Sequence, residues 1–139
     1  MKRLLTLLLC SSLTLSVLSA ESVVATPAPA ELAAAGGELV LNVVIDYGEA
    51  PAALGLSLDL PSGWSLVSVG GESKPAIVPE AGTTDTLDFA WLSAPDQSAS
   101  FSITVQYPAQ AGGTTLAGQA MLRRDGKSLN LPLSVPLGG

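Results

Sequence analysis

Between Ala53 and Leu60, four leucines (Leu54, Leu56, Leu58 and Leu60) alternate with Gly55, Ser57 and Asp59. A period of two is what an extended strand with one oily and one wet face requires, because successive side chains leave opposite sides of the backbone. Pro61-Ser62-Gly63 then joins a fixed φ to a residue free to take positive φ, which turns the chain before Trp64 to Val69 starts a second alternating run. The pattern predicts a hairpin of strand, tight turn and strand.

The alternation recurs along the chain. Leu39, Leu41, Val43, Ile45 and Tyr47 share one face of a long strand ending at Gly48. Leu87, Phe89 and Trp91 do the same within Thr84 to Leu92, as do Phe101, Ile103, Val105 and Tyr107 before Pro108. Farther on, Leu116 to Arg123 and Leu129 to Val135 flank Asp125-Gly126, a dipeptide suited to a two-residue type I′ loop with positive φ at both positions. Pro132 cannot donate to a ladder, so the last strand belongs at a sheet edge or carries a bulge. Between Gly70 and Pro79 only Ala76-Ile77-Val78 interrupts the breakers, a stub of strand at most.

About seven to eight strands, each with a single apolar face, predict an all-β fold: a two-sheet antiparallel β-sandwich that closes those faces on one another. A parallel α/β sheet would need helical crossovers, and no segment offers one. A closed barrel is the runner-up.

Met1-Lys2-Arg3 followed by the Leu-rich run Leu4 to Leu18 reads as a secretory signal peptide over residues 1–20, too short for a comfortable bilayer span and cut after Ala20 or Ala25. Residues 21–37, ESVVATPAPAELAAAGG, read as a linker or N-terminal lead-in. They offer a β segment at Ser22 to Ala25 or a helical turn at Glu31 to Ala35, and the sandwich domain is expected over 38–139. Cleavage leaves no membrane span and removes Cys10, the one cysteine, so neither a disulfide nor a thiol nucleophile is expected in the exported chain. The expected location is secreted, periplasmic or extracellular.

The net charge is −6, and without Lys2 and Arg3 only Lys74, Arg123, Arg124 and Lys127 stand against twelve acidic residues. Such a field repels a phosphate backbone, so nucleic acid is not an expected partner. The chain has no histidine, which removes the commonest general base and the commonest zinc ligand together. With cysteine also gone, Ser-His, Cys-His and zinc chemistry fall away in their usual forms. Asp85 and Asp88, three apart on a strand, face opposite ways and do not make a glycosidase pair. No enzyme activity and no cofactor are expected.

Calcium needs only oxygen ligands, and Asp46, Glu49, Glu72, Glu80, Asp85 and Asp96 sit at strand ends. No EF-hand-like run orders them, so solvated carboxylates are the simpler reading and no metal is assigned. Trp64 and Trp91 are the candidates for a sugar-stacking platform, although Trp64 shares parity with Leu66, and Trp91 with Leu87 and Phe89, which places both in the core.

Leu58-Asp59-Leu60-Pro61-Ser62-Gly63-Trp64-Ser65-Leu66-Val67-Ser68-Val69-Gly70, then Leu87-Asp88-Phe89-Ala90-Trp91, then Phe101-Ser102-Ile103-Thr104-Val105 before Gly113, resembles the order of elements in cohesin-like and related immunoglobulin-like bacterial surface modules. The resemblance covers most of residues 39 to 135. It implies an extracellular β-sandwich with a non-catalytic binding or scaffolding role, in cohesins through a sheet face that grips a dockerin. No dockerin-like repeat occurs here, so that partner and the family's binding residues are not carried over. The expectation is therefore a non-enzymatic exported module that binds an unidentified protein partner through a surface or edge, with a small module binding polysaccharide as the alternative.

Overall fold

The computed structural model describes residues 21–139, so the signal-peptide reading, its cleavage site and Cys10 lie outside the described residues. Eight strands follow in order: β1 Ser22–Ala28, β2 Gly37–Asp46, β3 Ala53–Asp59, β4 Ser65–Gly70, β5 Thr86–Trp91, β6 Ser98–Tyr107, β7 Thr115–Arg124 and β8 Lys127–Pro136. They form two four-stranded antiparallel sheets, β1-β2-β6-β4 and β5-β3-β7-β8. The all-β sandwich expected from the alternation is the fold.

Each sheet turns its alternating apolar positions inward. Leu39, Leu41, Val43 and Ile45 of β2 and Phe101, Ile103 and Val105 of β6 face Leu54, Leu56 and Leu58 of β3 and Leu116, Ala120 and Leu122 of β7, all of them buried. Phe101 joins the layers directly, lying edge-on to Phe89 at 5.5 Å and to Trp91 at 5.2 Å between ring centroids. Each such pair contributes about 0.5–1.5 kcal/mol beyond the area it buries. No charged or polar side chain is buried among the described residues.

The segment predicted as a hairpin is instead an arch. β3 lies in one sheet and β4 in the other, and the turn closed by the Trp64 N–H on the Pro61 carbonyl at 3.2 Å carries the chain between layers. Leu60 and Trp64, on either side of that turn, are both buried. A hairpin between paired strands would have left its turn wet. An arch encloses those side chains between the sheets, which is what two large apolar residues flanking the turn demand.

Residues 21–37, read as linker or lead-in, contribute a full edge strand. β1 pairs with β2 from Ser22↔Asp46 to Ala28↔Val40, and Leu32 is buried in the core. Of the two local options the β segment formed, and Glu31 to Ala35 is not helical: Glu31 bridges Gly138, and the Gly36 N–H closes a turn on Ala33. The described sandwich thus starts before Glu38. Pro132 sits on edge strand β8 in an unbroken register with β7. Counting from the Arg124↔Lys127 pair that closes the hairpin, Pro132 falls at a position whose nitrogen points away from β7, so no ladder bond is lost. The hairpin turn itself has Asp125 at φ 53° and Gly126 at φ 75°.

Candidate functional site

Both tryptophans weighed as a sugar platform are interior. Trp64 is 2% exposed and tilts against Tyr107 with ring centroids 5.7 Å apart, and Trp91 is 8% exposed with its indole N–H donated to the Ser73 carbonyl at 2.8 Å. Neither offers a ring face for a sugar to stack on. Parity with their strand neighbours identified them as core.

The strand-end carboxylates are only partly gathered. Glu49, Asp96 and Asp125 line one open cleft of about 560 Å3 at the hairpin end, with Gly48, Gln97 and Arg124. Among the described residues no group of three acidic, His or Cys side chains is placed to hold a metal ion. The cleft's cation is already engaged: Arg124 meets the Glu21 carboxylate and donates to the Tyr47 and Glu49 carbonyls. Tyr47 donates its hydroxyl to the Pro95 carbonyl, and burial, with the Asp96 charge adding to it, pushes its phenol above the ordinary value. The cleft is a brace for three chain segments.

The outward face of the β5-β3-β7-β8 sheet has a different character. Register places Ala90, Gly55, Met121 and Asn130 in one row across the four strands, and Ile77 extends it by bridging Ala90. Paired residues on neighbouring strands point to the same side, so this row presents four apolar or side-chain-free positions in succession. Ile77 is 53% exposed, Met121 36%, and Leu92, immediately after β5, 81%. A shallow groove of about 360 Å3 runs along the row, lined by Ala53, Gly55, Ala90, Met121 and Arg123 among others. Gly55 forms its floor, and the Met121 methyl lies over it, 3.6 Å from where a Cβ at Gly55 would sit.

All four sheet edges are blunted. β1 carries Pro27 and β8 carries Pro132. β4 is covered by hydrogen bonds between Leu66 and the segment Gly82-Thr83, and β5 by the two bonds between Ile77 and Ala90. Such edges discourage strand addition, which leaves faces and loops for binding. By alternation alone the positions between the leucines are simply the wet face. The available signal was that Ala53, Gly55 and Ala90 are small and uncharged and that Met121 is an outward apolar residue.

The fold and this face define a β-sandwich module whose distinctive surface is an apolar groove rather than a cleft of reactive groups. No protein-family model matches the chain, and no curated protein matches it. Among solved structures it is similar to a non-cellulosomal cohesin from the hyperthermophilic archaeon Archaeoglobus fulgidus, with 14% identity and a TM-score of 0.48 over 82% of this chain and 89% of that one. It is also similar to a von Willebrand factor type A structure from Catenulispora acidiphila, at 18% identity and a TM-score of 0.47. A third likeness is to a DUF4466 family protein from Parabacteroides merdae, at 14% identity and a TM-score of 0.44. The match covers 66% of this chain and 24% of the Catenulispora chain, and 87% of this chain and 46% of the Parabacteroides chain.

Proposed function

We propose that this chain is a non-enzymatic, exported β-sandwich module that binds a protein partner at the cell envelope or outside the cell, through the outward face of the β5-β3-β7-β8 sheet. The observation that carries the reading is the cross-strand row Ile77–Ala90–Gly55–Met121, left open to solvent on a sandwich whose core is otherwise closed. Contiguous apolar surface rimmed by polar groups, here Asp88, Gln119, Arg123 and Asn130, marks contact sites. Methionine at its centre supports the same reading, because an unbranched thioether adapts its shape to a partner.

The test is affinity capture from the native secretome with the wild-type chain and with Met121→Glu. A partner held by the first and lost by the second supports the reading; equal capture by both contradicts it. Titration with soluble polysaccharides is expected to leave tryptophan fluorescence flat, because both indoles are interior. A saturable shift would return the polysaccharide alternative.

A further inference from the structure

The outward positions of β5, β3, β7 and β8 carry only three charges: Arg123 at the hairpin end, and Asp88 and Asp59 toward the other end. Asp59 already accepts from the Thr86 hydroxyl at 3.2 Å, whereas Asp88 is exposed at the acidic margin. Gly55 lies midway between Arg123 and Asp88: one strand in from β7 and one row up from Arg123, and one strand in from β5 and one row down from Asp88. A face with an apolar middle, a cation at one corner and an anion at the diagonal corner is complementary to itself.

We infer that the occupant of this face is a second copy of the chain, packed face to face about a two-fold axis passing near Gly55, an inference that rests on the docking reading above. A two-fold interface presents the same patch from both sides, so each contact between unlike residues occurs twice. An axis lying in the interface plane through Gly55, perpendicular to the Arg123–Asp88 diagonal, sets Arg123 of each copy against Asp88 of the other. With strands about 4.8 Å apart and alternate residues about 6.8 Å apart along a strand, the same operation lays Met121 of each copy over the Gly55–Ser57 floor of the other. The thioether of each copy then packs beside the methyl with which the other copy's Met121 covers Gly55, joining two adaptable apolar side chains at the centre of the face. The chain's overall negative charge opposes self-association in general; this face, with one cation against two anions, carries little of it. The sheet face offers on the order of 500 Å2 per copy, below the roughly 800 Å2 of a standard interface, so the dimer is weak and concentration-dependent.

The experiment is sedimentation velocity on the chain expressed from its full reading frame, from micromolar to near-millimolar concentration. Wild type is expected to pass from monomer to dimer, and Met121→Glu to remain monomeric. Arg123→Glu and Asp88→Arg, each placing like charges together, are expected to weaken the dimer by about tenfold. The double variant R123E/D88R exchanges the two charges and is expected to restore it. Each variant alters an exposed side chain, and circular dichroism checks that the fold is kept. A wild type that stays monomeric, a dimer indifferent to Met121→Glu, or a charge exchange that fails to restore association overturns the inference. The docking reading is judged separately: it falls if capture of a different protein is indifferent to Met121→Glu, and a monomeric chain whose capture of such a protein is Met121-dependent overturns the second copy alone.

Discussion

Arg124, the last residue of β7, places its guanidinium 2.7 Å from the carboxylate of Glu21, the residue that precedes β1. The same guanidinium donates to the carbonyls of Glu49 at 2.6 Å and Tyr47 at 3.2 Å, so one side chain ties the start of the described fold and the β2–β3 loop to the hairpin. The ion pair is part-exposed, and the guanidinium holds two backbone carbonyls besides it, so the two partners are unequal. Glu21→Gln is expected to cost about 0.5–1 kcal/mol, the range of a solvent-screened pair. Arg124→Ala removes all three contacts and is expected to cost about 1.5–3 kcal/mol. Urea unfolding of both variants checks the order, and equal losses would show that the carbonyl bonds contribute nothing.

Gly118 of β7 faces inward at a point where no side chain fits. A Cβ there would fall well inside contact distance of the Ser57 carbonyl oxygen and 3.1 Å from the Leu58 Cα, both backbone atoms of β3. The clash cannot be relieved by turning a rotamer. Gly118→Ala is therefore expected to destabilise by about 1–3 kcal/mol. Gly70→Ala, which meets only the Ser102 hydroxyl at 3.5 Å, is the matched control and is expected to stay within about 0.5 kcal/mol of wild type.

Much of this architecture was legible in the residues. The alternation of Leu54 to Leu60 and of Phe101 to Tyr107 fixed which faces are buried, since a period of two leaves a strand no second way to segregate its side chains. Asp125-Gly126 and Pro132 announced the last hairpin and its edge position by local chemistry alone. The β3–β4 arch was not legible, because arch and hairpin both consist of two alternating runs and a turn. Burial of Leu60 and Trp64 beside the turn is the distinction, and it is a property of the packed layers. β1 was obscured because its inward positions, Val23, Ala25 and Pro27, are small and only half-buried, and Pro27 with Pro29 just beyond the strand reads as linker. The candidate face was missed for a related reason. Ile77, Ala90, Gly55 and Met121 come from four separate segments, and only strand order and register make them neighbours.

Tyr47 gives a pH prediction. Its phenol is held above the ordinary value of 10.0, chiefly by burial, with Asp96 opposing the phenolate. In the neutral form its hydroxyl donates to the Pro95 carbonyl. As pH rises through 10.0 the unfolded chain releases this proton before the folded chain does, so the unfolded state binds fewer protons and stability falls. The contribution is complete below that pH and is lost as pH passes the raised folded value. Tyr47→Phe is expected to be less stable than wild type at neutral pH by about 1 kcal/mol, the worth of the hydrogen bond, and to show a shallower alkaline decline. Parallel alkaline declines would contradict this assignment.

The proposed function puts the protein partner on the outward face of the β5-β3-β7-β8 sheet and not on the opposite face of the sandwich. The opposite sheet also exposes apolar side chains, Val24 and Val44, so the two faces are a fair comparison. Chemical-shift mapping of the isotope-labelled chain against its captured partner, or against rising concentrations of itself, distinguishes them residue by residue. Perturbations are expected to cluster at Ala53, Gly55, Ala90 and Met121; a cluster at Val24, Val44 and Ser100 instead would place the contact on the other sheet.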